Sequence, residues 1–358
     1  MKTIFVNTMG HDSHGTIAER LSDCYTNTGN LVWHEYCKRG IKFSEEIRIE
    51  DVTKHCENSV LVVPVANNIS ATDTDFSRNL YKLVNVKGNV VLVGLGIQIG
   101  KTINTPKKFV SVIPQRKVRM IKQLAEKCNY IGVRGEYSAD CLARLGIKNI
   151  KVIGCPSFYS GLLDKNTYKM KKPALKNVCF NITGGGRHEH VLLERILKSG
   201  VNSRLIMQNI KDMPEVTYEQ KKLTRELIEK SIPGLEIENE KLIEVYKRAR
   251  IFFDIESWER YLIEEEISFG VGTRLHGNMI TFLQGIPSLW ITHDRRTSEV
   301  VETLKLPHID YDKLIKVKYL EALMEKCNYD RKFYNNCNYM RNEYVKFLED
   351  NGIAHNFV

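Results

Sequence analysis

The sequence of 358 residues contains no apolar run long enough to cross a bilayer and no CxxC pair among its nine cysteines. Because a membrane-spanning helix needs about 20 apolar residues in a row, we expect none here. An odd number of cysteines without paired spacing predicts reduced, mostly structural thiols. The first residues, MKTIFVNTMG, lack the longer apolar segment of a secretory signal. Together these absences predict a cytoplasmic protein.

Positive charge is in excess: 53 Lys and Arg stand against 43 Asp and Glu, which gives a formal net charge of +10. This excess favours an anionic partner, such as a phosphorylated metabolite, a nucleotide, nucleic acid or an acidic lipid surface. The basic residues are scattered among acidic ones and form no dense stripe, so we expect no nucleic-acid binding.

Short apolar runs rich in β-branched residues alternate with helical stretches, the pattern of parallel sheets joined by crossover helices. The rhythm restarts after a Lys-rich passage at 164–177. We therefore predict an α/β protein with two doubly wound Rossmann-like domains, 1–168 and 169–310, and C-terminal helices at 311–358. The predicted strands are 3–7, 59–65, 89–94, 130–134 and 150–154, then 177–183, 203–208, 251–255, 267–272 and 288–292.

In such folds the ligand lies in the cleft beyond the carboxyl ends of the strands. In ISFGVGTRLHGNMITFLQGIP, residues 267–287, a strand is predicted to end at Gly272 and a helix to begin near Gly277. An extended turn between them would place Arg274 and His276 on the same side. The arginine offers a two-pronged anion donor, and the histidine offers an acid or base near neutral pH.

The same segment supplies Thr273, Gly277 and Asn278, where the free N–H groups of a helix start would add to an anion site. The alternative is that the arginine and histidine only cap the helix and pair with acidic residues. In the first domain, Arg134 ends a predicted strand and should point to the same space. A surface salt bridge is an equally open explanation of Arg134.

Several segments together resemble the polysaccharide pyruvyl transferase family. The resemblance covers about residues 27–300 in the right order, and the Arg-Leu-His-Gly element is its most specific part. Some relatives have an aspartate where this chain has Cys155, and no role is carried onto that position. The matching segments are NTGNLVWHEYCKR (27–39), ANNISATDTDFSRNL with VVLVGLGIQ (within 66–98), RGEYSADCLARLGIKNIKVIGCPS (134–157), GTRLHGN (272–278) and WITHDRRTSEV (290–300).

The resemblance implies a fold similar to glycosyltransferase-B architecture, with an acceptor-side first domain and a donor-side second domain. It implies transfer from phosphoenolpyruvate to a sugar or lipid-linked oligosaccharide, forming a pyruvate ketal in a cell-surface polysaccharide precursor. It is compatible with peripheral contact between the protein and the inner membrane surface. It implies neither a cofactor nor a metal ion. The implied catalytic residues are His276, Arg274 and Arg134, and the implied substrate-binding residues are Thr273, Gly277, Asn278, Arg296, Gln98, Gly29 and Asn30.

Two glycine-rich segments carry weaker signals. In NITGGGRHEH, residues 181–190, Gly185, Gly186 and Arg187 are predicted to approach a phosphate, although an ordinary flexible turn fits equally well. GLGIQIG, residues 94–100, departs from the dinucleotide fingerprint in the position of its third glycine, so nicotinamide binding is not expected.

Two other functions stay open at this point. A nucleotide-sugar-dependent glycosyltransferase is one, because a fold of two such domains also serves that chemistry. A non-catalytic glycan-binding module is the other, and the intact Arg134, Arg274 and His276 argue against it.

Overall fold

A computed structural model describes residues 2–9, 15–54, 58–71, 78–99, 105–162, 169–183, 187–209, 244–245 and 247–358, except the side chains of 17 and 187–190. The first half of the chain forms a six-stranded parallel sheet, the first sheet. Its strands, in order across the sheet, are β2 (Glu45–Arg48), β1 (Lys2–Asn7), β3 (Ser59–Pro64), β5 (Asn89–Leu95), β7 (Ile131–Val133) and β8 (Ile150–Val152). A separate pair joins β4 (Ile69–Ser70) to β6 (Ile97–Gln98).

Helices cover both faces of the first sheet, as expected for parallel strands that are apolar on both sides. Leu61 and Val63 of β3 face one core, and Val60 and Val62 of the same strand face the other. The helices of this half are α1 (Ile17–Asp23), α2 (Gly29–Arg39), α3 (Arg78–Val84), α4 (Pro106–Val112), α5 (Gln115–Ala125), α6 (Glu136–Arg144) and a 3-10 helix at Pro156–Leu162.

The second sheet also has six parallel strands, and its strand order is that of a Rossmann fold. Across the sheet the strands are β11 (Arg250–Ile251), β10 (Asn202–Met207), β9 (Asn177–Asn181), β12 (Phe269–Gly272), β13 (Ser288–Thr292) and β14 (His308–Asp310). The helices are α7 (Arg187–Ser199), α8 (Ile255–Glu264), α9 (Leu275–Leu283), α10 (Arg295–Leu304), α11 (Tyr311–Leu314), α12 (Leu320–Met324) and α13 (Arg331–Asp350).

The prediction of two doubly wound parallel sheets is confirmed, and nine of the ten predicted strands lie where expected; the predicted strand 251–255 overlaps β11 only at Ile251, because Ile255 already begins α8. The sequence analysis missed the edge strands β2 and β14. The first is the charged segment EEIR and the second has only three residues, so neither carries an apolar run. The described part of the chain contains no helix that is long and apolar enough to cross a membrane.

The segment 311–358 is divided between the two halves. Helices α11 and α12 pack with α7 in the core of the second sheet. Helix α13 instead returns to the first half, where Tyr344 stacks on Tyr159 with ring centroids 4.3 Å apart and Arg341 Nε donates to the Leu162 carbonyl oxygen at 2.7 Å. An apolar cluster joins the halves, with Phe158 of the 3-10 helix stacked on Phe282 of α9.

Candidate active site

A cavity of about 710 Å³ lies between the two sheets. It is lined by residues that follow strands of both sheets, including Thr8 after β1, Arg134 after β7 and Thr273 after β12. The strand order of each sheet reverses nearby, between β1 and β3 and between β9 and β12. Doubly wound sheets bind their ligands at such reversal points, so this cavity is the candidate active site.

Arg134 carries a buried charge that no described carboxylate contacts directly, although the buried carboxylate of Glu299 acts on it electrostatically. The residue is 2% exposed, and its Nε donates to the Gly94 carbonyl oxygen at 2.9 Å. Its Nη2 has no hydrogen-bond partner in the described chain, and the guanidinium forms no ion pair with the described residues. This geometry contradicts the alternative of a surface salt bridge. An isolated buried charge is costly, so a site that keeps one is suited to an anionic ligand.

Gly96 allows this arginine to lie where it does. A Cβ atom at Gly96 would lie 3.2 Å from Arg134 Cδ and 2.6 Å from Asn67 Oδ1. The segment that superficially resembles a dinucleotide fingerprint therefore makes space for the arginine side chain.

Arg274 is the N-cap of α9 and keeps an extended backbone, with φ −85° and ψ 116°. The N–H of Arg274 donates to Asn181 Oδ1 at 2.8 Å, and its Nε donates to the Ile182 carbonyl oxygen at 3.2 Å. The helix begins at Leu275, earlier than predicted, so the expectation that His276 lies in a non-helical turn is wrong. One extended residue is enough, because both side chains still line the cavity.

His276 lies in the first turn of α9 and is 8% exposed. Burial and, after it, the positive charge of Arg134 hold the pKa of His276 well below its ordinary value of 6.5. The imidazole is therefore neutral at neutral pH and retains a lone pair. Its Nε2 lies 3.7 Å from Cys155 Sγ.

Thr273 and Asn278 differ in their relation to the cavity. Thr273 lines it, and its hydroxyl lies 3.0 Å from that of Thr183. Asn278 is fully buried, bonding to Asn181, to the Gly272 carbonyl oxygen and to the backbone of β13. The predicted substrate contact of Asn278 is therefore corrected: this amide holds strand ends together, because its Nδ2 donates to two backbone carbonyl oxygens and its Oδ1 accepts from the Asn181 side chain.

Two predicted glycines enclose a side chain instead of lining the cavity. A Cβ atom on Gly29 would lie 2.0 Å from Gln208 Oε1, and one on Gly277 would lie 2.2 Å from Gln208 Nε2. Both glycines thus let the Gln208 amide lie between α2 and α9. The neighbouring Asn30 does line the cavity, although its amide already bonds to the Cys24 carbonyl oxygen and to Trp33.

At the cavity edge, Arg296 and Gln98 meet across the two halves. Arg296 Nη1 donates to Gln98 Oε1 at 2.9 Å, and its Nε donates to Asp294 Oδ2 at 2.7 Å. Burial raises the pKa of Asp294, but Arg296 and the N–H of Thr297 outweigh it, so the net shift is downward. Burial lowers the pKa of the adjacent His293. The positive charge of Arg296 is therefore already neutralised by Asp294.

Glu299 is a further buried group between the halves, and the sequence analysis gave it no role. Its carboxylate accepts from the N–H of Ser138 at 2.6 Å and from the Ser138 hydroxyl at 3.0 Å. Burial raises the pKa of Glu299. Glu299, on α10, thereby caps α6, the helix that follows Arg134. In the sequence, only its place in the matching segment 290–300 pointed to it.

The described cavity lining contains no Asp or Glu but includes four arginines and two histidines. Gly185 and Gly186 lie outside the described residues, and the side chain of Arg187 is not described, so the phosphate-loop prediction stays a prediction. In the described ranges, no three His, Cys, Asp or Glu side chains are grouped as metal ligands would be. The arginines and histidines lining the cavity are Arg78, Arg134, Arg274, Arg296, His276 and His293.

Residues 12–295 match the sequence profile of the family described as polysaccharide pyruvyl transferase. No curated protein matches the chain in sequence. Among solved structures, a UDP-N-acetylglucosamine 2-epimerase is 12% identical with a TM-score of 0.48, over 98% of this chain and 96% of its own. Its counterpart from Methanocaldococcus jannaschii is 12% identical with a TM-score of 0.44, over 98% and 99%. A functionally uncharacterised protein from Klebsiella pneumoniae is 14% identical with a TM-score of 0.43, over 86% and 92%. With similarities this low, the fold assignment rests on the strand order described above.

Proposed function

Because the chain belongs to the polysaccharide pyruvyl transferase family, we propose that it transfers the enolpyruvyl group of phosphoenolpyruvate to two hydroxyls of one sugar. The product is a pyruvate ketal in a cell-surface polysaccharide precursor, and the second product is inorganic phosphate. The acceptor is a sugar or a lipid-linked oligosaccharide, met in the cytoplasm or at the inner membrane surface.

The observation that carries the proposal is the buried guanidinium of Arg134, whose Nη2 has no described partner and which makes no ion-pair contact, in a cavity whose described lining has no carboxylate. Phosphoenolpyruvate brings a carboxylate and a phosphate, and both are acceptors that fit a planar arginine fork. Arg274 and the N-terminus of α9 add further positive potential at the same edge. The donor would therefore supply the direct ion-pair contact that Arg134 lacks among the described residues.

His276 supplies the proton chemistry in this proposal. A bound trianion opposes the charge of Arg134, and an adjacent negative charge raises the pKa of a histidine. Donor binding therefore raises the pKa of His276 and favours the imidazolium that the proton transfer requires. The imidazolium gives that proton to the methylene carbon, and the first sugar hydroxyl attacks the cationic C2 and passes its own proton to the neutral imidazole. Phosphate then leaves C2, and the second hydroxyl attacks there while its proton departs with the phosphate.

The acceptor would lie against the part of the cavity lining that comes from the first half of the chain. That part is rich in amide and hydroxyl side chains. The Thr8 hydroxyl is buried without a hydrogen-bond partner in the described chain, and it lines the cavity beside Asn27 and Asn79. Uncharged polar groups of this kind hydrogen-bond to sugar hydroxyls without adding charge. The first domain thus keeps its role as the acceptor side in the proposal.

Thermal unfolding with candidate donors tests the proposal most directly. A ligand that binds only the folded state at about 100 times its Kd stabilises the protein by about 2.7 kcal/mol. We expect phosphoenolpyruvate to raise the Tm, and Arg134→Met to abolish that rise. Incubation with phosphoenolpyruvate and a panel of free and lipid-linked sugars should release inorganic phosphate with one of them.

The same thermal unfolding measurement with a nucleotide sugar tests the alternative function. If a UDP-sugar raised the Tm and phosphoenolpyruvate did not, the protein would be a glycosyltransferase and the pyruvyl transfer proposal would be wrong.

A further inference from the structure

Cys155 and His276 meet in the interior, behind the cavity. Cys155 follows β8 and is 0% exposed, and its Sγ lies 3.7 Å from His276 Nε2 and 3.1 Å from Ser157 Oγ. Ser157 is also buried. The three side chains form one continuous contact chain from the 3-10 helix to the start of α9.

The two ring nitrogens of His276 have different surroundings. Cys155 is the hydrogen-bond partner of Nε2, whereas Nδ1 has no partner in the described chain. Nδ1 is also not among the described buried atoms that lack a partner, and His276 lines the cavity. Nε2 is thus held from the interior and Nδ1 is reachable from the cavity.

In acid–base sites, the hydrogen bond made by one ring nitrogen sets the tautomer and orientation presented by the other. A third group commonly holds the base in this way. We propose that Cys155 is a positioning residue for His276: the Nε2–H of the neutral ring donates to the Cys155 sulfur, so that Nδ1 carries the lone pair and exchanges protons with the substrate. This role rests on the proposed function, but the position of the ring does not.

A thiol differs from a carboxylate in what it does to the imidazole. A carboxylate against Nε2 would favour the imidazolium, whereas a neutral thiol orients the ring without fixing a charge on it. His276 can then respond to the arrival of the donor anion beside Arg134, because no resident carboxylate already holds a proton on it.

Among the described side chains on the other elements packed against α9, Cys155 is the thiol that contacts His276. Titratable groups on them have partners elsewhere: Cys179 of β9 contacts Thr281, Tyr159 of the 3-10 helix donates to the Ile153 carbonyl oxygen, and Glu259 of α8 pairs with Tyr36 and Arg39 of α2. Arg134 is the charged group that acts on His276.

The test compares Cys155→Ala, Cys155→Ser and Cys155→Asp by ¹⁵N NMR of His276 in the ligand-free protein and by the pH profile of turnover. We expect Cys155→Ala to mix the two tautomers and to lower kcat about 10- to 100-fold with little change in KM for phosphoenolpyruvate. Cys155→Ser should restore most of the loss. Cys155→Asp should move the His276 titration and the acid limb of the profile upward by about one to three pH units.

Cys179→Ala is the matched control, because it also removes a buried thiol that contacts α9. It should leave the His276 tautomer and the pH profile unchanged. An unaltered tautomer and pH profile in both Cys155→Ala and Cys155→Asp, with each variant folded by its Tm, would overturn the positioning role. Phosphate release by the wild-type protein decides the proposed function separately.

Discussion

The cavity has two regions with an arginine and a histidine, and they differ in burial and in whether a carboxylate contacts the arginine. The buried group, Arg134 with His276, makes no ion-pair contact with a described carboxylate, whereas the rim group, Arg296 with His293, has Asp294 beside it. The Arg134 residue is 2% exposed, and the Arg296 side chain is 34% exposed. The charge that is costlier to bury is the one left unpaired.

This contrast separates stability from ligand binding. A buried charge without a partner lowers the stability of the empty protein, and an anion that pairs with it recovers that free energy on binding. A partly exposed ion pair contributes less to both. Variants in the two groups should therefore diverge in activity and in stability, and each prediction below measures that divergence.

The largest effect is expected for His276→Gln. Loss of a positioned proton-transfer group lowers turnover by about 10²- to 10⁴-fold, and one limb of the pH profile should disappear. Steady-state phosphate release across pH measures both. Near-normal turnover with an unchanged profile would make His276 a packing residue, and His293 would be the next candidate.

Arg134→Met should separate activity from stability. Removing a charge that binds the donor costs about 2–5 kcal/mol, which lowers kcat/KM by at least about 30-fold. Replacing a buried charge that makes no ion-pair contact by an apolar side chain of similar volume should raise the free energy of unfolding of the empty protein by about 1–4 kcal/mol. Urea unfolding without ligand tests this, and a less stable variant would contradict the unpaired-charge argument.

A smaller effect concerns pH. Since the folded pKa of His276 lies below the ordinary value of 6.5, the unfolded chain binds more protons as pH falls below 6.5. Stability from this residue is therefore complete above pH 6.5 and is lost as pH decreases, by at most about 1.4 kcal/mol per pH unit. Urea unfolding from pH 7 to pH 5 should show a shallower decline in His276→Gln. An equal decline in wild type and variant would contradict it.

The smallest effect is expected at the rim. Arg296→Met removes one partner of a partly exposed pair, so stability should change by about 1 kcal/mol or less. Donor affinity should fall less than in Arg134→Met. Side-by-side Tm shifts with phosphoenolpyruvate rank the two, and an equal loss in both would remove the distinction between the groups.

The sequence predicted the strands and the residues at their ends, because apolar runs and chain order are local properties. Arg134, Arg274 and His276 line the cavity as the reversal of strand order requires. The partners could not be predicted: Gln98 and Arg296 are 198 positions apart, and Ser138 and Glu299 are 161 apart. Such contacts depend on how two sheets dock, which no local pattern encodes.

Errors inside the site have a similar origin. Asn278 follows the recognisable Arg-Leu-His-Gly element and looks available for a substrate, yet its amide is consumed by strand ends that only the folded chain brings near. At the start of α9, the N–H of the N-cap residue Arg274 donates to Asn181 Oδ1, and Asn181 is the last residue of β9, far away in the sequence.

The return of α13 to the first half affects synthesis on the ribosome. Tyr159 emerges 185 positions before Tyr344, the residue on which it stacks. At about 5–20 residues per second, the nascent first sheet waits about 10–40 s with part of one apolar face uncovered. Through that interval the apolar surface around Tyr159 lacks its partner helix, so codon usage between these positions should influence soluble yield more than codon usage after them.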